Sequence, residues 1–433
     1  MTATPATAAE MYELIRELYP ICRSITGDGV RETLRILTRY VPLEIHEVPS
    51  GTPVFDWNVP REWNLRAAWI ASCDGRRVVD TRDSNLHVVS YSSPVRRRVA
   101  LSELREHLHA LPDHPDWIPY RTSYYTESWG FCVTQKQLAS LTDPEYEVCI
   151  DATLAPGSLS YGEYLLRGRS EREILISVHV CHPSLCNDNL SGIAVSALLA
   201  RRLREREREY SYRFLYVPGT IGSLTWLSRN TAGVSRIAHG LTLVCLGDGS
   251  PFTYKRTLAG GAEVDRAAAL ALRESGFAHE LIDYFPFGYD ERQYNSPGFR
   301  LAVGSLMRAR HGQFPEYHSS ADDLDFVTAK SLQESLDVCG SILEVLDGNR
   351  VYRSTSPFGE PQLGRRGIYR GLGGEPDLAD LQLAMLWLLT LCDGSQSLLD
   401  VAERSGLHFV LVQRAADQLV THGLLEAARC AYS

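Results

Sequence analysis

A near-continuous run of apolar residues in the middle of the chain, residues 173–178 (E-I-L-I-S-V), predicts a strand that is buried on both faces. A helical pattern follows at residues 191–205, and two further apolar runs occupy residues 212–217 and 241–246. Alternation of buried strands with helices is typical of a doubly wound sheet, which places this part of the chain in the α/β class. The helices expected to cover the sheet are residues 262–274 and 329–346.

The amino-terminal part of the chain changes its pattern twice. Residues 8–40 have mostly helical spacing, in two pieces separated by proline and glycine. Short alternating runs then predict strands at residues 67–70, 77–80 and 86–90. We therefore expect one α/β domain made of residues 1–45 and 135–350, into which a β-rich domain of residues 46–134 is inserted.

The carboxy-terminal part predicts a small separate domain. Residues 351–376 are rich in Gly, Pro, Ser and Arg and are expected to form a linker. Three helical stretches in residues 377–433 then resemble a winged-helix or helix-turn-helix module. Acidic residues outnumber basic ones there, and the stretch at residues 409–422 offers one arginine, Arg414, to phosphates. An interaction or homo-oligomerisation role is therefore favoured over DNA binding.

Composition and charge narrow the function classes. The 433 residues are 44% hydrophobic and 22% charged, as expected of a globular protein. A net charge of −9 argues against general attraction to nucleic acid or to a membrane. The ten cysteines form no C-x-x-C pair, which indicates reduced thiols. With no signal segment and no run of about 20 apolar residues, the expected location is the cytoplasm.

The candidate chemistry begins where the first buried strand ends. His179 closes the run, the following loop carries His182 and Asp188, and Ser191-Gly192 opens the next helix. Ligands of doubly wound sheets bind beyond the carboxyl ends of strands. Imidazole and carboxylate are ligands that Zn²⁺ prefers. A metal site is favoured over the alternative, in which a histidine and Asp188 form a hydrogen-bonded turn.

Several segments together indicate a family. They are the metal loop with its D-x-x-S-G pattern at residues 188–192, G-T-P-V-F-D-W-N-V-P-R-E-W at residues 51–63, P-Y-R-T-S-Y-Y-T-E-S-W-G-F at residues 119–131 and E-Y-H-S-S-A-D at residues 316–322. Over nearly its whole length the chain resembles a bacterial family of aminopeptidase-like proteins, often described alongside polysaccharide biosynthesis. The implied fold is that of zinc aminopeptidases, a mixed α/β sheet with the β-rich insertion and the winged-helix-like module.

The resemblance also implies a ligand set. Asp188 matches the aspartate that bridges two ions in zinc aminopeptidases, and His318 matches the distal histidine. Asp248 matches a further carboxylate, although Gly-Asp-Gly is also common in turns. His179 matches the strand-end ligand, but Cys181 stands where an aspartate is usual, so His182 is a second candidate. We expect one Zn²⁺ ion rather than two.

The general base implied by the resemblance is missing. Relatives carry a glutamate after the strand at residues 212–217, where this chain has Gly219, followed by Thr220 in place of a ligand. Such a base contributes about 10²–10⁴ in rate, so peptide hydrolysis is expected to be weak. Three explanations remain open: acyl or aminoacyl transfer to an amine, a base from another loop (Glu316 or Glu291), and a catalytically inactive binding module.

The remaining candidates line the same region. Tyr317 is a further catalytic candidate, and the candidate substrate contacts are Asp290, Arg292, Tyr294 and Arg308. The expected substrate is a small aminoacyl or peptide-like amide or ester. An aminoacyl-tRNA donor is left open, but the acidic balance argues against broad contact with nucleic acid.

Overall fold

The computed structural model describes residues 6–368 and 376–428. Within them the chain divides into two compact units. The first comprises residues 6–260 and 278–337, and the second comprises residues 261–277, 338–368 and 376–428. In the described part of the chain no helix combines the length and the apolar character needed to cross a membrane.

The first unit contains a mixed sheet of eight strands. Its central strands are parallel, as the sequence predicts, and antiparallel strands are added on both sides. In spatial order the strands are Glu44–Pro49, Ser158–Leu166, Ser211–Val217, Glu173–His179, Ile237–Leu243, Val303–Met307, Phe252–Lys255 and His279–Ile282.

The central strands form the core of this sheet. Every residue of Glu173–His179 and of Ser211–Val217 is buried, which explains their near-continuous apolar sequences. The third predicted strand, residues 241–246, lies earlier than expected, at Ile237–Leu243. The chain leaves the sheet after Leu243 because Cys245 has a positive φ of 50°, which a continuing strand does not accommodate.

Helices accompany the sheet, and several bounds agree with the sequence pattern within one or two residues. Gly192–Arg204 follows the first buried strand, with all but three of its residues buried. The other helices of the first unit are Ala6–Leu18, Asp28–Leu37, Leu101–Glu106, Gln135–Ser140, Ile221–Arg229 and Glu291–Tyr294. The helix Ala329–Gly348 contributes residues to each unit.

A second, antiparallel sheet accounts for the β-rich character of the insertion. Its order is Arg77–Asp80, Glu62–Ala71, Glu145–Ala155 and Val95–Ala100. The strand Glu145–Ala155 lies outside the predicted range 46–134, yet it is paired on both sides within this sheet. Two short pairs complete the insertion: Pro53–Val54 with Trp57–Asn58, and Leu108–His109 with Phe131–Cys132.

One predicted strand of the insertion is wrong. Residues 86–90 do not form a strand, because Asn85–His87 is a 3₁₀ turn. The Ser84 hydroxyl accepts a hydrogen bond from the backbone amide of Leu86 and thereby starts the turn. Apolar residues buried in an irregular segment mimic the alternation of a strand, as Leu86 and Val88 do here.

The second unit contains the winged-helix domain. The helix Glu263–Ser275 belongs to this unit but precedes the winged-helix domain in the sequence. The helices of the winged-helix domain are Pro376–Leu391, Leu398–Ser405 and Phe409–Thr421. Its antiparallel sheet has the order Asp393–Ser397, Val351–Ser354 and Leu425–Ala427. The middle strand lies at the start of the predicted linker 351–376, whose residues 369–375 fall outside the described part of the chain.

Candidate functional site

The candidate site lies where two parallel strands end side by side. His179 is the last residue of its strand and is in register with Val217, the last residue of the neighbouring strand. Parallel strands deliver their following loops to the same edge of a sheet. The loop after His179 therefore meets Gly219, which follows Val217 by two residues.

Three side chains converge on the buried carboxylate of Asp188. One oxygen of Asp188 lies 2.9 Å from Nε2 of His179, and the other lies 3.4 Å from Nδ1 of His182 and 3.1 Å from Nε2 of His318. Ligand atoms of His179, His182 and Asp188 all lie within 4.8 Å of one another. Both histidines that the sequence left as alternatives are thus present together.

Neighbouring loops hold the histidines in place. The guanidinium of Arg23 donates to the backbone carbonyl of His182 at 3.0 Å. The backbone amide of Tyr120 donates to the carbonyl of His318 at 2.8 Å, and the Tyr120 ring packs edge-on against both His182 and His318. The insertion therefore supplies one wall of the site.

The charge states suit metal binding. Burial lowers the pKa of His179 to about 4 and also lowers the pKa of His318, which leaves both imidazoles neutral near pH 7. Burial alone would raise the pKa of Asp188, but His182, His179 and His318 outweigh it and hold that pKa well below its usual range. The neutral imidazoles of His179 and His318 beside an ionised carboxylate are donors that fit Zn²⁺.

Asp248 does not join this cluster. Its carboxylate accepts hydrogen bonds from the Asn187 side chain at 2.8 Å, from the Ser250 amide at 2.7 Å and from the Ala309 amide at 3.3 Å. It therefore supports the metal loop through Asn187, as the turn alternative allowed.

Sequence analysis missed Asp322 as a support of the metal loop. The Asp322 carboxylate accepts the backbone amides of Asn187 and Asp188, the latter at 2.9 Å. Burial raises its pKa to about 8. The sequence could have indicated this role, because Asp322 is the last residue of the segment E-Y-H-S-S-A-D that carries His318.

Tyr289, which sequence analysis also missed, fills the space beside Gly219. A Cβ added to Gly219 would overlap the phenol ring and hydroxyl of Tyr289. The hydroxyl lies 3.3 Å from Nε2 of His182 and 3.4 Å from Sγ of Cys181, and its ring lies 4.0 Å from that of His179. Beside Gly219 the site thus carries a phenol in contact with the candidate ligands His179 and His182.

Cys181 and Asp290 accept hydrogen bonds from the backbone at Gly219 and Thr220. The backbone amide of Gly219 donates to Sγ of Cys181 at 3.3 Å, and burial raises the pKa of that thiol to about 11. Asp290 accepts the Thr220 amide at 2.7 Å and the Ser223 hydroxyl at 2.9 Å. Burial raises the pKa of Asp290 to about 7. Asp290 thus anchors the start of the helix Ile221–Arg229.

The two glutamates considered as substitute bases differ in their surroundings. Glu291 is buried, forms an ion pair with buried Lys255 and accepts the Tyr289 amide at 3.1 Å. Glu316 is half-buried, and its backbone carbonyl accepts two hydrogen bonds from Ser319.

Among the remaining predicted residues, Tyr317 packs against a candidate ligand, whereas Tyr294 and Arg308 make their polar contacts with other residues. Tyr317 stacks on His318 with ring centroids 4.0 Å apart. Tyr294 is in the core, where its hydroxyl pairs with that of Ser177 at 2.8 Å. Arg308 is buried and bonds to Ser250, Ser335 and Glu334. Arg292 is exposed.

Comparison with known proteins gives this geometry a context. Residues 12–349 match a family described as a domain of unknown function, DUF4910, and residues 350–427 match a winged helix-turn-helix family. A Clostridium acetobutylicum protein, provisionally named a polysaccharide biosynthesis protein with an aminopeptidase-like domain, is 49% identical over 420 residues, which are 97% of this chain and 96% of that protein.

Solved structures extend the comparison. The crystal structure of a provisionally named peptidase from Clostridium acetobutylicum is 47% identical, covers 98% of this chain and 97% of its own, and superposes with a TM-score of 0.93. A zinc aminopeptidase from Bacillus subtilis shares the fold at 14% identity, with 78% of this chain and 95% of its own covered and a TM-score of 0.57. The chain therefore belongs to the DUF4910 family of aminopeptidase-like proteins, and a winged helix-turn-helix module follows its family domain.

Proposed function

We propose that this chain is a zinc-dependent enzyme that transfers an aminoacyl or peptide-like acyl group to an amine, in small-molecule or polysaccharide biosynthesis. The observation that carries the proposal is the packing of Tyr289 against Gly219. The position that holds a general base in zinc aminopeptidases has no side chain here, and an aromatic ring fills the space. The name of the Clostridium acetobutylicum relative supports the biosynthetic setting.

The donor groups support one zinc ion. His179, His182, Asp188 and His318 would hold it, and a bound ion would supply Lewis-acid polarisation of an acyl carbonyl. A second ion would find fewer free ligands, since Asp248 accepts the Asn187 side chain and Cys181 accepts the backbone amide of Gly219.

In the hydrolase alternative Glu291 or Glu316 acts as the general base. The surroundings of Glu291 argue against that role more strongly than those of Glu316 do. Glu291 is neutralised by Lys255, and transferring a proton to it would leave the buried ammonium without its counter-charge. Within residues 6–368 and 376–428 Glu316 forms no ion pair, so it is the glutamate to test as a base for water.

Without a general base, attack by water on the acyl carbonyl slows more than attack by an amine. Water must lose a proton as it attacks a carbonyl, whereas an unprotonated amine attacks with its lone pair and loses its proton afterwards. In the proposed reaction a C–N bond forms, the bond from the carbonyl carbon to the leaving group breaks, and the amine's proton ends on the leaving group. Removing a water-activating base therefore favours transfer over hydrolysis.

The chain's charge supports a small-molecule donor. With a net charge of −9, an extended nucleic-acid contact would be repelled, which disfavours an aminoacyl-tRNA donor. For the winged helix-turn-helix module we propose a role in association of two chains, supported by the exposed Leu383 and Leu386 on the helix Pro376–Leu391.

The test compares transfer with hydrolysis on purified, zinc-loaded protein. An aminoacyl ester is supplied with and without an added amine, and ester loss and amide formation are both quantified. We expect about one zinc ion per chain, amide as the main product and slow release of free acid. A chelator should stop both, and His179→Ala should lose the metal, with His422→Ala as the matched control.

Each of the other possible outcomes would support a different function for this chain. Rapid free-acid release that is insensitive to the amine and lost in Glu316→Gln would make the chain a conventional hydrolase. Stoichiometric zinc with no product from any aminoacyl donor would make it a binding module. Protein expressed in zinc-rich medium without a stoichiometric ion would overturn the zinc-dependent proposal.

A further inference from the structure

His311 lies between two tyrosines that border the candidate site. Its side chain is 9% exposed. The His311 ring is nearly parallel to that of Tyr289, with centroids 6.3 Å apart, and perpendicular to that of Tyr317, with centroids 6.4 Å apart. The proposed transfer reaction does not by itself assign a role to this imidazole.

The same two tyrosines each pack against a candidate ligand. The Tyr289 ring lies 4.0 Å from that of His179, and the Tyr317 ring lies 4.0 Å from that of His318. Each tyrosine that neighbours His311 thus also packs against one candidate ligand. His311 is placed beside the cluster without belonging to it.

One nitrogen of His311 is left unsatisfied. Nε2 is buried and has no hydrogen-bond partner within residues 6–368 and 376–428. Buried polar atoms are nearly always paired, and an exception calls for a functional explanation. A nitrogen that must exchange a proton with a substrate has a reason to lack a protein partner.

The charges around His311 are mixed. Asp188 and Glu291 favour its protonated form, and Lys255 and His318 oppose it. Burial is the largest influence and lowers the pKa of His311, so that the imidazole is neutral near pH 7. A neutral imidazole accepts a proton, which Glu291 in its ion pair with Lys255 is poorly placed to do.

We propose that His311 is the proton-transfer residue of the acyl chemistry at this site, an inference that rests on the proposed function. An attacking amine forms the C–N bond to the acyl carbon and gives its proton to Nε2 of His311. The bond from the acyl carbon to the leaving group then breaks with its electron pair on the leaving group. His311 returns the proton to that group and is regenerated.

The test uses the zinc-loaded full chain with His311→Ala and His311→Gln. The matched control is His422→Ala, since His422 is an exposed histidine in the winged-helix domain. Amide formation from an aminoacyl ester and an amine is measured with and without added imidazole. We expect a loss of about 10²–10⁴-fold in kcat with little change in KM, and partial recovery of His311→Ala by imidazole. Unchanged zinc content would exclude loss of the metal as the cause.

A second readout does not depend on turnover. An α-aminoalkylboronic acid forms a tetrahedral anion whose hydroxyl groups can donate to Nε2 of His311. Calorimetry on zinc-loaded protein should show at least about tenfold weaker binding for His311→Ala and no change for His422→Ala, which corresponds to about 1.4 kcal/mol.

The outcomes separate the two proposals. Equal boronate affinity in wild type and His311→Ala, or transfer within threefold of wild type, would overturn the assignment of His311. Loss of transfer without recovery by imidazole would also overturn it. Boronate binding that depends on His311, in a protein without any transfer, would reject the proposed function while leaving the contact with His311 in place.

Discussion

The phenol ring of Tyr289 occupies the space into which a side chain on Gly219 would extend. The two positions are 70 residues apart in the sequence. A glutamate at residue 219 and an aromatic ring at residue 289 cannot both fit, so the two positions are sterically coupled. This relationship determines how a glutamate can be introduced at residue 219.

Gly219→Glu alone should not restore hydrolysis. The sequence suggests that this change returns the base, but its Cβ would collide with Tyr289. The double variant Gly219→Glu/Tyr289→Gly makes room, and we expect about 10²-fold faster hydrolysis of an aminoacyl anilide than in Tyr289→Gly alone. A folded, zinc-loaded double variant without any gain would contradict the account of the missing base.

His318 and Asp248 should differ in their effect on the metal. His318 contacts Asp188 within the cluster, whereas Asp248 bonds to Asn187 behind it. We expect His318→Ala to weaken zinc binding by at least about 10²-fold and Asp248→Asn to weaken it by no more than about tenfold. Competition with a chelator of known affinity measures both, and the opposite ranking would restore Asp248 as a ligand.

Removing the positive partner of Glu291 should destabilise the fold. Lys255→Met leaves a buried carboxylate unpaired, which we expect to cost about 3–5 kcal/mol in unfolding free energy. Lys136→Met is the matched control, because its ion pair with Asp116 is exposed and should matter by less than about 1 kcal/mol. Urea unfolding measures the unfolding free energy of both variants. Equal losses would show that the buried Lys255–Glu291 ion pair contributes no more to stability than the exposed one.

Stability should fall in acid through the pair of Arg31 and Glu62. The Arg31 guanidinium, which lies 2.9 Å from one Glu62 oxygen, lowers the pKa of Glu62 to about 2. Because the folded-state pKa lies below the unfolded one, the contribution is complete above the unfolded pKa and is lost as pH falls towards 2. After allowance for partial exposure we expect about 1–2 kcal/mol.

Glu62→Gln tests this pH dependence. The difference in unfolding free energy from wild type should be constant near neutral pH and shrink below about pH 4. Glu103→Gln, which removes the more exposed ion pair with Arg97, is the control. A difference for Glu62→Gln that does not change with pH would contradict the assignment.

Association through the winged-helix domain should be sensitive to charge on one helix. Leu383 and Leu386 are 43% and 40% exposed on Pro376–Leu391. If two chains associate there, Leu383→Glu/Leu386→Glu should convert a dimer to a monomer in sedimentation, while Lys136→Glu in the first unit should not. A wild-type chain that stays monomeric at high concentration would exclude the proposed association.

The sequence by itself determined the features that depend on residues close together along the chain. Unbroken apolar runs require burial on both faces, so the two central strands were predictable within one residue. His179, His182 and Asp188 follow one strand within ten residues, so their proximity was also predictable. That residue 219 is a glycine, with no side chain that could act as a base, is also read directly from the sequence.

Only the tertiary structure decided what surrounds those residues. Sheet order and loop paths bring Tyr289 to Gly219, Asp322 to the backbone of Asp188 and His311 between two tyrosines. They also place Tyr294 in the core, although it lies five residues from Tyr289. Such contacts join distant parts of the chain and depend on shape and burial, which no local pattern of residues encodes. For that reason the sequence showed only that residue 219 has no side chain, and the fold was needed to show that Tyr289 packs against it.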